Sequence, residues 1–300
     1  MRALVDSFVD STARPILDTH IHLYQVSRAG GVPWPGPEAT PLYRDMLPAQ
    51  YEAIARPLGI VGTGVVEASN LHDDTRFVLE LTRARRDYFP FLVANLEIGA
   101  PDFPDKLADI AADPRVVGIR GFLWGPLLTL DRTQVAHLEL VAARGMSLDL
   151  ISRGGLNPKA KVDELLAAVP NLRVIIDHLA GAKGATPAPE WIADLTRLGR
   201  RLNLSIKVSS LFDMFNFRGD ENDAWDAPRD LAAYRPHLDV LMDAFGPDRL
   251  VFGSNWPISE LGGGIAREVA LVEEWLDRHG ARARDAVMHD NARRFYRRRI

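Results

Sequence analysis

Three polar side chains, Asp18, His20 and His22, occupy alternate positions in Ile16-Leu17-Asp18-Thr19-His20-Ile21-His22. An apolar pair leads into them, which reads as a strand, and along a strand alternate side chains project to one face. Two imidazoles and a carboxylate converging at a strand end could bind a divalent metal, or polarise a carbonyl without one. The plainer alternative is that one histidine caps the strand while the other meets solvent.

Other short apolar runs also end in, or carry, groups a core would not want. Glu67 follows one run, Asn95 and Glu97 another, and Arg120 sits in Gly118-Ile119-Arg120-Gly121. Asp149 lies between two leucines, Asp177-His178 closes a sixth run, Lys207 sits within a seventh, and Ser254-Asn255-Trp256 follows an eighth. Ionisable groups are rarely buried unless paired or functional. A single one could be a structural ion pair, but a complete set is hard to explain by packing. Arg120 offers a planar fork for a substrate carboxylate or lactone oxygen, or a salt bridge to Glu97 or Glu67. Glu67 could be a third metal ligand with His20 and His22, or the partner of Lys207 or Arg120. Lys207 could hold a substrate anion or point outward between helices, and Asp149 and Asp177 could orient His or Lys partners.

The elements that must position these groups alternate along the chain. Apolar runs, mostly of Val, Ile and Leu without alternation, fall at 15–18, 60–67, 91–97, 116–120, 146–150, 172–177, 204–208 and 250–253, as expected of parallel strands buried on both faces. Amphipathic segments at 45–58, 73–86, 103–112, 132–144, 159–168, 189–201, 229–245 and 265–279 separate or follow them, with Asp73 or Asp74 as N-cap of the second and Pro158 suited to the first turn of the fifth. A last short helix starts near Asn291. Eight strand–helix units predict an α/β fold, a single (β/α)8 TIM barrel filling residues 1–300 as one domain. A doubly wound sheet would also alternate, but no Gly-rich phosphate turn follows the first run.

Two connections on the strand-to-helix side are long. One spans 25–44 and contains Trp34; the other spans 209–228 and carries Phe212, Phe215, Phe217, Arg218 and Trp225. Their length and aromatics fit a lid or pocket wall, or packing on the rim. Trp34 and Trp256 could stack on a sugar face or an aromatic ring.

The 300 residues are 47% hydrophobic with a formal net charge of -4. That balance gives no reason to expect a nucleic-acid or anionic-membrane partner, and the basic tail Arg293–Arg299 reads as a solvated helix face. There is no cysteine, which excludes disulfides, thiol catalysis and Cys-ligated zinc. No signal peptide and no spanning segment are read, so the default expectations are a cytoplasmic protein, a small-molecule substrate and, for assembly, a homodimer.

Taken together, Asp18-Thr19-His20-Ile21-His22, Val66-Glu67-Ala68-Ser69, Gly118-Ile119-Arg120-Gly121, Ile176-Asp177-His178, Ile206-Lys207-Val208-Ser209, Phe252-Gly253-Ser254-Asn255-Trp256-Pro257 and Asn291-Ala292-Arg293-Arg294-Phe295-Tyr296 resemble the amidohydrolase superfamily. The likeness is to its amidohydrolase-2 branch and the barrel hydrolases there that open sugar lactones and dicarboxylate lactones. The resemblance implies a distorted barrel that hydrolyses a lactone. His20, His22 and His178 would surround the carbonyl or bind a metal, and Arg120 and Lys207 would anchor polar groups of the substrate. It also implies either one divalent metal, zinc or manganese, or none. Two departures stand out. The fifth strand reads Ser147-Leu148-Asp149-Leu150-Ile151-Ser152 without the histidine of the metal-dependent members, and Asn255 stands where an aspartate base is usual. An amide cannot deprotonate water near neutral pH. His178 or another carboxylate would then be the base, or Asn255 would only orient the water. The rival readings are a metal-dependent decarboxylase of the same branch and, given Asn255, a non-catalytic ligand-binding barrel.

Overall fold

In the computed structural model, which describes residues 14–122, 128–152, 159–217 and 219–297, the eight apolar runs form one parallel sheet in the order β1 to β8. The strands are Ile16–Ile21 (β1), Ile60–Val66 (β2), Phe91–Ala94 (β3), Val116–Phe122 (β4), Ser147–Ile151 (β5), Arg173–Ile176 (β6), Leu204–Ser209 (β7) and Leu250–Gly253 (β8). The sheet closes on itself between its first and last strands. Ile21 bridges Trp256 in parallel, the His22 N–H donates to Trp256 O at 2.7 Å, and Thr19 Oγ1 donates to Phe252 O at 2.7 Å. Closure requires Gly253, because a Cβ there would lie 2.9 Å from His20 Cβ. The expected (β/α)8 barrel is therefore present.

Helices cover the sheet as the amphipathic patterns predict, with proline at the start of Pro48–Ala55 and Pro189–Leu198, where its missing N–H is harmless. Asp131 caps Arg132–Ala143 by accepting from Gln134 N at 2.9 Å. Neither Asp73 nor Asp74 is an N-cap: the helix His72–Leu81 begins one residue earlier, so both sit in its first turn, where acidic groups suit the helix dipole. The helix expected at 229–245 begins only at Arg235, after a 3-10 turn at Leu231–Ala233. The final segment is longer than the sequence pattern indicates: Ala281–Asp285 and a π-turn at Ala286–Asp290 precede Asn291–Phe295. Pro158, Arg218 and the last residues of the basic tail lie outside the described residues.

Two apolar layers result. Most of the core packs between strands and helices, while Leu17, Val66, Phe91, Val93, Val117, Ile175 and Val251 fill the lower barrel. The C-terminal segment plugs that lower end. Tyr296 stacks on Phe91 with centroids 4.4 Å apart and sends its hydroxyl up to Asp149 Oδ2 at 2.6 Å. At the opposite end the two long connections meet, where Trp34 Nε1 donates to Glu221 Oε2 at 2.9 Å. Among the described residues, no helix is long and apolar enough to cross a membrane.

Candidate active site

Above the apolar plug lies a buried ion cluster. Lys207 is fully enclosed, 2.7 Å from Asp149 Oδ2, 2.9 Å from Asp177 Oδ1 and 3.2 Å from His20 Nδ1. Burial alone would drive the ammonium toward neutrality, but Asp149 and Asp177 outweigh it and hold Lys207 above its ordinary pKa. Against burial's upward push, the Lys207 charge and then His20 keep Asp177 well below the usual carboxylate range. Asp149 is raised, chiefly by burial. Lys207 and Asp149 therefore face each other inside the barrel, neither at a substrate surface nor between helices.

The histidines form the next layer. The His20 ring lies 5.0 Å from that of His22 and 4.6 Å from that of His178. Burial, then the Lys207 charge, pushes His20 well below its ordinary pKa; burial, then Arg120, lowers His22 to about 3; burial lowers His178 to about 4. All three are neutral at pH 7. A neutral His22 whose Nδ1 is 2.7 Å from Val66 O must carry its proton there, leaving a lone pair on Nε2. At His20 Nδ1 the Lys207 ammonium lies at 3.2 Å and the Asp177 carboxylate at 3.7 Å. His20 Nε2 itself is buried without a protein partner. His178 Nδ1 is 3.0 Å from Ser209 Oγ.

Strands β6, β7 and β8 deliver their polar residues through strained corners. Of six described non-glycine residues with positive φ, five follow these strands: His178, Leu179, Ala180, Ser210 and Asn255. Such conformations persist only where the surroundings enforce them, and they gather at functional sites. Asn255 Nδ2 donates to Ser210 Oγ at 2.8 Å, while its Oδ1 is buried without a protein partner.

Here His22, Arg120, His178 and Asn255 line one cavity of about 180 Å³, walled by Trp34, Phe122 and Trp225. An adjoining cavity of about 390 Å³ shares Trp34, Arg120 and Phe122 and extends toward Asn95 and Glu97. Asp213, Ser210, Glu221 and Ser152 also face the first cavity; the sequence reading passed over all four. The first three lie in the long connection after β7, whose length was the available signal. Ser152 carried none.

Several expected site residues are placed elsewhere. β1 breaks register with β2 between Asp18 and Ile21, so alternation does not carry Asp18 to the side of His20 and His22. The Asp18 carboxylate instead accepts from the His20 N–H at 3.0 Å, the Ser254 N–H at 2.8 Å and Tyr51 Oη at 2.8 Å. It ties β1, β8 and the helix Pro48–Ala55 together. Trp256 packs its ring on Tyr51, 5.4 Å between centroids, behind the cavity. Glu67 accepts from Ser69 N at 3.0 Å and lines a separate pinhole cavity of about 10 Å³ with Asp74 and Arg28, which pair with each other. Among the described residues, the donor atoms that lie within 4.8 Å of one another belong to His20, Asp177 and His178 rather than to His20, His22 and Glu67. These donors suit a divalent cation: two neutral imidazoles, one with an orphaned nitrogen, and an ionised carboxylate.

The amidohydrolase family model matches residues 17–298. The chain belongs to the amidohydrolase family. This amidohydrolase is 30% identical over 289 residues to an L-fucono-1,5-lactonase of Burkholderia ambifaria, covering 94% of this chain and 95% of the other. A second L-fucono-1,5-lactonase, from Burkholderia multivorans, is 28% identical, covering 93% and 95%. A crystal structure of an amidohydrolase from Burkholderia multivorans with bound zinc superposes with a TM-score of 0.80 at 26% identity, covering 95% of this chain and all of that one.

Proposed function

We propose that this amidohydrolase opens the ring of a sugar lactone, taking a six-membered aldonolactone such as L-fucono-1,5-lactone by likeness to its relatives. The observation that carries the reading is the convergence of His22, Arg120, His178 and Asn255 on one aromatic-walled cavity at the end of the barrel where such folds build sites. Trp34 and Trp225 offer faces for the C–H side of a sugar ring, and Asp213, Glu221 and Ser152 offer acceptors for its hydroxyls.

In this mechanism the guanidinium of Arg120 donates to the lactone oxygens and stabilises the charge that develops on the carbonyl. Asn255 Oδ1, lacking a protein partner, accepts a hydrogen bond from the attacking water and aims it. His178 takes the water's proton as the oxygen attacks. Burial, Arg120 and Lys207 disfavour its imidazolium, and Asp177 and Asp213 recover part of that loss, which leaves its pKa at about 4. When the ring C–O bond breaks, the same imidazolium returns its proton to the departing alkoxide, leaving a hydroxy acid. Where a divalent cation such as zinc is bound, His20, Asp177 and His178 would hold it and it would supply Lewis acidity toward the carbonyl or the water; the His178 lone pair would then be engaged and His178 would not serve as the base. Lys207 acts from below by fixing His20 and Asp177 rather than by touching substrate.

The test is an acid-release assay on a panel of aldono-1,5-lactones, aldono-1,4-lactones and aromatic or dicarboxylate lactones, with and without chelator. Turnover of the 1,5-lactones above the rest supports the reading. Turnover lost on chelation and regained with zinc or manganese supports the cation. Tight lactone binding without turnover, with turnover appearing in Asn255→Asp, would sink the reading in favour of a binding barrel.

A further inference from the structure

Glu268 is a buried acid that neither the barrel's ion cluster nor the cavity uses. It projects from the helix Ile265–Asp277, is wholly enclosed, and accepts the Leu211 N–H on Oε1 at 2.9 Å. Its Oε2 has no protein partner. A buried carboxyl with one oxygen unsatisfied is costly, and an apolar side chain would pack at this position of the helix with less penalty. The carboxyl's position explains its presence. Leu211 follows Ser210, whose backbone is left-handed (φ 56°, ψ 44°) and turns the chain out of β7 into the 3-10 turn Leu211–Phe215. That corner points backbone N–H groups of Ser210 and Leu211 into the interior toward Glu268, with Leu211 held at ordinary hydrogen-bond length. Ser210 Oγ in turn receives Asn255 Nδ2 at 2.8 Å, and Asn255 is itself left-handed (φ 55°). Two strained corners from adjacent strands thus meet through one side-chain hydrogen bond, and one of them is pinned from behind by Glu268. Ser210 and Asn255 line the cavity; Glu268 does not.

We propose that Glu268 is a positioning residue that acts through Ser210 to fix the Asn255 amide, so that its carbonyl oxygen faces the attacking water. The donation of Nδ2 to Ser210 decides which end of the amide enters the cavity. Without the carboxyl behind the corner, the Ser210 backbone relaxes toward ordinary φ, its hydroxyl withdraws, and Asn255 loses the contact that orients it. Burial raises the Glu268 carboxyl well above its ordinary pKa, which fits an acceptor kept neutral in the core. The neutral acid and a glutamine present the same acceptor oxygen, so Glu268→Gln keeps the pinning contact while Glu268→Ala removes it.

The inference rests on the lactonase reading for its kinetic arm, and a structural arm stands without it. Glu268→Ala and Glu268→Gln are made in the wild-type and Asn255→Ala backgrounds, and kcat and KM are measured on the best lactone. Expected results are a kcat loss of tenfold or more for Glu268→Ala with KM little changed, and near wild-type kcat for Glu268→Gln. In the Asn255→Ala background, Glu268→Ala should cost no more than about twofold, because groups that act as a unit are non-additive. An equal loss in both backgrounds, or no loss in either, overturns the proposal. If Glu268→Ala does not fold, Ser210→Gly, which tolerates the left-handed corner and lacks the hydroxyl, should show the same non-additivity with Asn255→Ala. A crystal structure of Glu268→Ala, or of Ser210→Gly in its place, should show the Asn255 amide turned. An amide unmoved there sinks the proposal whether or not any lactone is hydrolysed.

Discussion

Two polar layers share the barrel interior and behave oppositely. In the lower one, Lys207 is held by Asp149, Asp177 and His20, and Tyr296 closes the set from below through Asp149. In the upper one, His20 Nε2 and Asn255 Oδ1 are enclosed yet have no protein partner, and the backbone beneath is strained at His178, Ser210 and Asn255. Charge compensated within the chain belongs to the scaffold; polar capacity left open in a cavity is available to something that binds there. On this division Lys207, fully enclosed, is a framework residue, while Arg120, which lines the cavity, is the cation that the proposed mechanism turns toward substrate.

The sharpest way to break that division is Lys207→Met. Removing the cation leaves Asp149 and Asp177 buried without compensation, and breaking a buried ion pair from one side costs about 3–5 kcal/mol. Denaturant unfolding at pH 7 should show a loss of that size. A change below about 1 kcal/mol would show that the lower layer is not a scaffold in the sense argued.

His178→Ala tests the upper layer. General-base removal should lower kcat/KM by about 10²–10³-fold while moving the melting temperature little. The wild-type rate should also be flat from pH 5 to 8 and fall only as the pH drops toward about 4, where His178 takes up its proton. An acid limb centred near pH 6.5, or a His178→Ala variant with full activity, would remove His178 from the chemistry.

The same contrast explains what could be read from the chain alone. The barrel was legible because buried parallel strands leave continuous Val/Ile/Leu runs, and the polar endings of those runs pointed to the right face. Asp18 departs from the expected face because strict alternation assumes an unbroken register, and β1 shifts register against β2 between Asp18 and Ile21. Lys207 was read as a substrate anchor because its counter-ions come from β5 and the end of β6, contacts that only barrel closure creates. Asp213 and Glu221 carry no periodic signal, since a loop residue's direction is set by tertiary contacts such as that of Glu221 with Trp34. Asp177 reads in the sequence as an orienting group, and its place beside His20 depends on β1 and the end of β6 meeting inside the barrel.

Glu67 belongs to neither layer and gives the third test. Burial raises its carboxyl to about 7, against an unfolded value near 4.5. A carboxyl raised on folding contributes stability that is fully present below about pH 4.5 and is lost as the pH climbs through 7. The difference amounts to an upper bound of about 3 kcal/mol at 1.36 kcal/mol per unit. Glu67→Gln should flatten the stability profile between pH 4.5 and 7 and leave lactone turnover within a few-fold of wild type. Loss of turnover with unchanged pH dependence would return Glu67 to the catalytic set.

The smallest expected effect lies at the mouth, where the connections after β1 and β7 are joined by Trp34 Nε1 and Glu221 Oε2 at 2.9 Å. Trp34→Phe keeps an aromatic face beside His22, whose ring lies 5.3 Å from that of Trp34, but removes the donor. A hydrogen bond to a charged acceptor contributes about 1.5–3 kcal/mol when buried and less at a half-exposed site. The two loops then hold the sugar less firmly without disturbing Arg120, His178 or Asn255. KM should rise about three- to tenfold at constant kcat, the signature of lost uniform binding. A fall in kcat instead would mean that the mouth shapes the transition state, and the boundary between binding wall and reacting centre would have to be drawn one residue further out.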